Sequence, residues 1–265
     1  YIRTGCEDSK FGFTMKNDFA FNCVGDVLAA ENVRLLGFHC HIGSQIFALT
    51  SFREAVQVMT EFVLRVKEKY GFVTKELDMG GGLGIAYTAD DRPSSIDEFA
   101  ECTVSAVRDF CAHYQLEEPR IMVEPGRSLV ANAGVTLYTV GILKTLPGIR
   151  KYIAVDGGMS DNIRTALYHA QYEPTIVNKA GQMRTEIVTL CGKHCESGDA
   201  VVVDMPLQQA EIGDIVCVFA TGAYCYTMSS TYNGQPRPAI VFVKDGVART
   251  VTRRETYADL LARDL

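Results

Sequence analysis

The sequence is short of the features that would place it at a glance. Lys and Arg are nowhere clustered: 26 basic side chains face 32 acidic ones, a formal charge of −6. The cationic footprint of a nucleic-acid binder is therefore missing. No apolar run approaches the ~18 residues that a bilayer-crossing helix needs. The first residues, Tyr1-Ile-Arg-Thr-Gly5, carry neither an initiator Met nor a secretory pattern, and read as the middle of a longer chain. Low-complexity tracts and linkers are absent. The nine cysteines are odd in number and lack framework spacing, which predicts reduced thiols in a cytoplasmic protein. Metal ligands are incomplete as well. Cys191, His194 and Cys195 offer soft ligands with no second cluster to close a tetrahedron, and His39 and His41 have no carboxylate beside them in the sequence. No metal is expected.

What is present suits a folded chain. With 265 residues, 47% of them hydrophobic, a sizeable core in one or two domains is expected. Three units in the first half repeat one plan. Val33–His41 reads as a buried strand ending in a Gly43-Ser44 turn, and a helix should follow from Ser51, with Glu54 completing a capping box. Phe52, Ala55, Val56, Met59, Phe62, Val63 and Val66 keep helical spacing, and Gly71 suits the stop. The second unit is Glu76–Met79, then Gly80-Gly-Gly-Leu-Gly84, then a helix capped by Ser95 and Glu98 with Phe99, Val107, Phe110 and Tyr114 inward. The third is Arg120–Glu124, Pro-Gly-Arg127 and a short helix through Ala133. Strand, polar turn and amphipathic helix in repetition mean parallel βα units, which barrels and doubly wound sheets share.

After Gly134 the pattern changes. Val135–Leu143, Ile153–Val155, Ile187–Leu190, Val201–Val203, Ile215–Phe219 and Ile240–Val243 are short β-rich runs between turns, and Asp245-Gly246 signals a hairpin. One helix near Asp161–Ala170 and one from Thr256 interrupt and close this region.

The polar residues of interest stand just after strands. Glu124, Gly126 and Arg127 together suit a cofactor with a protonated ring nitrogen and a phosphate. The carboxylate would favour the cation, and bare glycine backbone reaches an anion. Ser44 fits the same phosphate. Gly80–Gly84 is not a dinucleotide fingerprint, because Ile85 stands where G-x-G-x-x-G needs a small residue; tight backbone packing is its plain alternative. Glu124 alone could be a surface acid, and His39 or His41 alone a satisfied core residue. Arg164 and Tyr168 are four apart, so on a helix they share a face, and an arginine fork bonds a carboxylate bidentately. A surface Arg over a Tyr ring is the alternative there. For Cys195 and Glu196 it is a buried thiol followed by a surface acid.

His41-Ile-Gly-Ser-Gln45, the five residues from Gly80, Glu124-Pro-Gly-Arg127, Asp156–Tyr168, Cys195-Glu-Ser-Gly-Asp199 and Gly222–Ser230 together resemble the fold-type III pyridoxal-phosphate decarboxylases. The resemblance runs from Tyr1 to Leu265 and favours the branch acting on diaminopimelate. It implies an α/β plus all-β architecture: residues 1–134 as the C-terminal portion of an alanine-racemase-like (β/α)₈ TIM barrel, and 135–265 as a β-barrel or sandwich domain. A barrel of ~250 residues does not fit in 134, so about half is expected to be missing. The family's cofactor-binding lysine motif has no matching segment, and Lys10 lies in a run that the family keeps besides that motif.

The resemblance also implies roles. Pyridoxal 5′-phosphate would be held by His41 stacked on its ring, by Ser44, Gly82, Gly126, Arg127 and Tyr224 at the phosphate, and by Glu124 at the nitrogen. Arg127, Arg164, Tyr168, Glu196 and Tyr224 would bind substrate, with Tyr226 a lesser alternative to Tyr224. Cys195 would donate a proton, acting with Glu124 and His41, and the Cys195-Glu196 segment would be lent across a homodimer interface. The activity implied is conversion of meso-2,6-diaminopimelate to L-lysine and carbon dioxide. An ornithine, arginine or carboxynorspermidine decarboxylase of the same fold, or a non-catalytic partner-binding relative, are the rivals.

Overall fold

A computed structural model describes residues 9–265. They form two compact units, the first running to Ala86 and resuming over Asp90–Leu129, the second holding Tyr87–Ala89 and Val130–Leu265.

In the first unit, α1 (Phe19–Ala29), β1 (Gly37–His39), α2 (Leu49–Tyr70), β2 (Glu76–Asp78), α3 (Ile96–His113) and β3 (Arg120–Met122) alternate, and a short α4 (Arg127–Val130) comes next in the chain. The strands form one parallel sheet, ordered β1-β2-β3. Leu77 and Met79 pack against Val56, Met59 and Val63 of α2 and Val107 and Cys111 of α3. That cluster seats the two helices on the sheet. A second cluster joins Ile46, Phe52, Leu83 and Phe99.

Three sequence expectations are corrected here. The strand expected over Val33–His41 pairs only around its middle, with hydrogen bonds from Leu36 to Cys40. A parallel ladder needs a partner, and β2 is bounded by the glycine turn that begins at Gly80. Helix α2 starts at Leu49, behind Ala48, and Ser51 makes no cap. Leu49 packs against the Ile46 cluster, and burial of that kind outweighs a cap worth about 1 kcal/mol. Tyr114 is exposed rather than inward, because α3 stops at His113 and the ring folds back over Phe110, 4.5 Å between centroids. The Ser95–Glu98 capping box and the left-handed Gly71 stop form as expected.

The second unit is built on a six-stranded sheet of β4 (Thr136–Leu146), β5 (Arg150–Val155), β6 (Pro174–Ile176), β7 (Glu186–Cys191), β8 (Ala200–Leu207) and β9 (Ile215–Val218). Their order is β6-β9-β4-β5-β7-β8, antiparallel except for β5 and β7. Tyr172, Ile153, Ile176, Leu190 and Leu207 are fully buried in it. A separate hairpin joins β10 (Ile240–Lys244) to β11 (Val247–Thr252). Asp245 and Gly246 sit at φ +52° and +77°, the left-handed pair a two-residue turn requires. The helix expected near Asp161–Ala170 contracts to α5 (Arg164–Tyr168), ended by a left-handed His169. That expected from Thr256 is a single capped turn, Tyr257–Leu260. Among the described residues no helix is long and apolar enough to cross a membrane.

Candidate functional site

The ends of the three parallel strands converge in the first unit. Gly80, Gly81 and Gly82 each lie so near a neighbouring carbonyl (Cys40, Glu124 and Gly43 in turn) that a Cβ would stand 2.3 Å from its oxygen. Gly82 also sits at φ +104°, which a side chain resists. Close packing is thus part of what this glycine run does. His41 lies beside it, its Nδ1 accepting the Gly81 N–H at 3.2 Å. Arg127 follows β3 and is 5% exposed, and its Nη2 donates to Ser44 Oγ at 2.9 Å. Gly126 precedes it in an exposed turn.

Glu124 is more than half exposed, and its Oε2 lies 3.0 Å from His39 Nε2. Asp78 joins them, with ligand atoms of the three residues within 4.8 Å of one another. The sequence sets no carboxylate beside His39, but the fold does: β2 pairs with β1 and carries Asp78 to it, and Glu124 reaches it from just beyond the end of β3. Asp78 Oδ1 is already engaged by the Gly80 N–H at 2.9 Å. Cys191, His194 and Cys195 form no such group. The Cys40 thiol, pressed into this region, is pushed up to about 11, by burial first and Asp78 second.

In the second unit Arg164 opens α5 and is 5% exposed. Its Nη1 donates to Tyr87 Oη at 3.0 Å and Tyr172 Oη at 2.8 Å. Burial alone would lower its pKa, but the two phenols reverse this and the net shift is upward. Tyr172 is raised well above the ordinary phenol value, by burial and then by Cys225. Tyr224 holds a left-handed φ of +63° with its ring 5.9 Å from the Arg164 guanidinium. Tyr168, four residues on, is 45% exposed. Tyr226 is half-buried in a 3₁₀ turn.

Cys195 and Glu196 are exposed on the loop between β7 and β8. What fixes that loop is Asp199, a buried carboxylate that sequence reasoning quoted without a role. Its Oδ1 accepts the Met159 N–H at 2.6 Å, and its Oδ2 accepts the His194 N–H at 2.7 Å and lies 3.0 Å from His194 Nδ1. Gly158 and Gly192 make room for it, since a Cβ on either would come within 2.5 Å of its oxygens. The His194 ring stacks on Tyr232, 5.7 Å between centroids. Each of the two units thus gathers its own share of the expected residues.

Residues 1–131 match the pyridoxal-binding domain of the pyridoxal-dependent decarboxylases. The whole chain is 48% identical to the diaminopimelate decarboxylase of Bacillus subtilis, covering 60% of it, and 46% identical to that of Halalkalibacterium halodurans, again covering 60%. It therefore spans about three fifths of the length of these relatives. Among solved structures, diaminopimelate decarboxylase of M. jannaschii with L-lysine matches 98% of this chain and 58% of its own, at TM-score 0.90 and 33% identity. The parallel βα units and the β domain are those of a fold-type III decarboxylase: a partial barrel, then a β domain.

Proposed function

We propose, for a chain that belongs to the pyridoxal-dependent decarboxylases, that the intact protein converts meso-2,6-diaminopimelate to L-lysine and carbon dioxide. The observation that carries the choice of substrate is Arg164. It is a buried guanidinium beside two neutral hydroxyls, with no carboxylate within ion-pair distance among the described residues. A diamine substrate would need an acid there; a substrate with a distal carboxylate needs this cation.

The first unit fits pyridoxal phosphate. Gly82 keeps its backbone bare against Gly43, the buried Arg127 meets the Ser44 hydroxyl at 2.9 Å, and Glu124 brings a carboxylate to the end of β3. Ser44, Gly82, Gly126 and Arg127 would hold the phosphate, with Tyr224, and His41 would cover the ring. When bound, the cofactor supplies the electron sink that loss of carbon dioxide requires. Glu124 keeps the proton on the ring nitrogen, since a nearby opposite charge favours the cation. Arg164 and Tyr168 orient the distal end of the substrate, and Arg127 and Tyr224 serve the near end. Glu196 reads an amine. Cys195 gives its thiol proton to the carbon that has lost carbon dioxide. None of this chain's lysines is assigned to the cofactor.

With pyridoxal phosphate added, the intact protein should form lysine from diaminopimelate and leave L-ornithine and L-arginine essentially unchanged, as carbon dioxide release and chromatography will show. A higher kcat/KM on either of the latter would favour the diamine branch. Cofactor binding without turnover of any would favour a non-catalytic relative.

The second proposal concerns assembly. Cys195 and Glu196 are exposed and lie about 70 residues beyond Glu124 in the chain. A two-fold homodimer in which each subunit lends them to its partner would let one patch serve both sites. Mixing intact protomers that lack the cofactor-binding lysine with intact Cys195→Ala protomers should restore part of the activity. A mixture as inactive as its components would remove the shared site.

A further inference from the structure

Arg164 carries a full charge in a place where burial makes an uncompensated charge costly. Among the described residues, the side chains that meet it are neutral tyrosines. Tyr87 and Tyr172 share Nη1, their rings packed edge to face at 5.2 Å and 85°. Tyr172 is wholly buried, and its hydroxyl also lies 3.6 Å from Cys225 Sγ. Neither tyrosine is part of a motif, and no expectation drawn from the sequence includes them. A guanidinium has five N–H donors. With both Nη1 hydrogens committed to phenol oxygens, the remaining donors belong to Nε and Nη2. That edge has the geometry for two parallel bonds to one carboxylate.

We infer that Tyr172, with Tyr87, is a positioning residue for substrate selection. The pair pins Nη1 and so dedicates the Nε/Nη2 edge of Arg164 to a ligand carboxylate. A fork free to turn about its bond to the side chain would lose part of this advantage to conformational entropy. Pinned by two hydroxyls, it discriminates for a carboxylate and against an otherwise identical amine. The inference rests on the reading of Arg164 as the reader of a substrate carboxylate.

Two probes separate the possibilities: L-lysine, and 1,5-diaminopentane, the same diamine without its carboxylate. Their binding to the intact, cofactor-loaded protein is measured by titration calorimetry for wild type, Tyr172→Phe, Tyr87→Phe and Arg164→Ala. Tyr172→Phe should weaken L-lysine about tenfold and leave 1,5-diaminopentane within about a factor of two of wild type. Arg164→Ala should weaken L-lysine more strongly, with the same selectivity. If Arg164→Ala is selective but Tyr172→Phe weakens both probes equally, or neither, the positioning role is overturned. If Arg164→Ala itself does not discriminate, the reading of Arg164 falls, and this inference with it. Should Tyr172→Phe fail to fold, Tyr87→Phe provides the same comparison at the other hydroxyl. A purely structural role would shift both probes together and would not change their ratio.

Discussion

Replacing Gly82 by Ala is expected to destabilise the first unit by about 2–5 kcal/mol, the combined cost of a strained backbone and a forced packing shift. In the intact protein this should lower the melting temperature by roughly 2–5 °C and abolish retention of pyridoxal phosphate on dialysis. Two terms act at once. At φ +104° a Cβ is sterically resisted, and the added methyl would stand 2.3 Å from the Gly43 carbonyl oxygen, a backbone atom that cannot rotate aside. Gly71 gives the internal comparison. It is also left-handed, at φ +68°, but a Cβ there meets nothing within 4 Å. Gly71→Ala should therefore cost only the conformational term, about 1–2 kcal/mol, and keep the cofactor. Equal losses in the two variants would show that close packing at the strand ends contributes nothing.

In the intact protein, with the proposed activity, replacing Arg164 by Ala should lower kcat/KM on diaminopimelate by about 10- to 150-fold, the value of a charge-assisted contact of about 1.5–3 kcal/mol. Cofactor absorbance should be unchanged, because the contacts expected of the cofactor lie mostly with other residues. Arg164→Lys tests geometry separately from charge. An ammonium keeps the cation but cannot serve two phenols and a carboxylate in one plane, so it should recover less than half of the loss in free energy. An Arg164→Ala enzyme with wild-type kcat/KM would remove the residue from the site.

The βα repeats and the β-rich second half were legible because each rests on local information. Hydrophobic spacing marks the inward faces of α2 and α3, and the Ser95–Glu98 box and Gly71 mark their ends. The Asp245-Gly246 turn defines a hairpin on its own. Misreadings arose where the outcome depends on a partner far along the chain. The pairing of β1 is limited by β2, nearly 40 residues later, and the start of α2 is decided by the cluster that Leu49 joins. The site divides in the same way. Ser44, Glu124, Arg127 and Arg164 stand in motifs, and the resemblance those motifs carry makes them candidates. Tyr87 and Tyr172 were not, because what singles them out is where their hydroxyls end up, 77 and 8 residues from Arg164 in sequence. Asp199 stood in full view within Cys195-Glu-Ser-Gly-Asp199. That its two oxygens hold different loops is a fact of three dimensions.

The grip of Asp199 also sets a length. Cys195, Glu196, Ser197 and Gly198 lie between His194 and the carboxylate that binds His194 twice. All four are exposed, so core packing does not restrict their side chains, but the carboxylate restricts their number. One residue more or fewer would pull the His194 N–H out of reach of the carboxylate, and the Met159 N–H held by its other oxygen would be disturbed with it. The turn at Gly148 carries no such ruler, since nothing approaches a Cβ there within 4 Å. Insertions and deletions are therefore expected to accumulate at turns of that kind, while the Cys195 loop keeps its length.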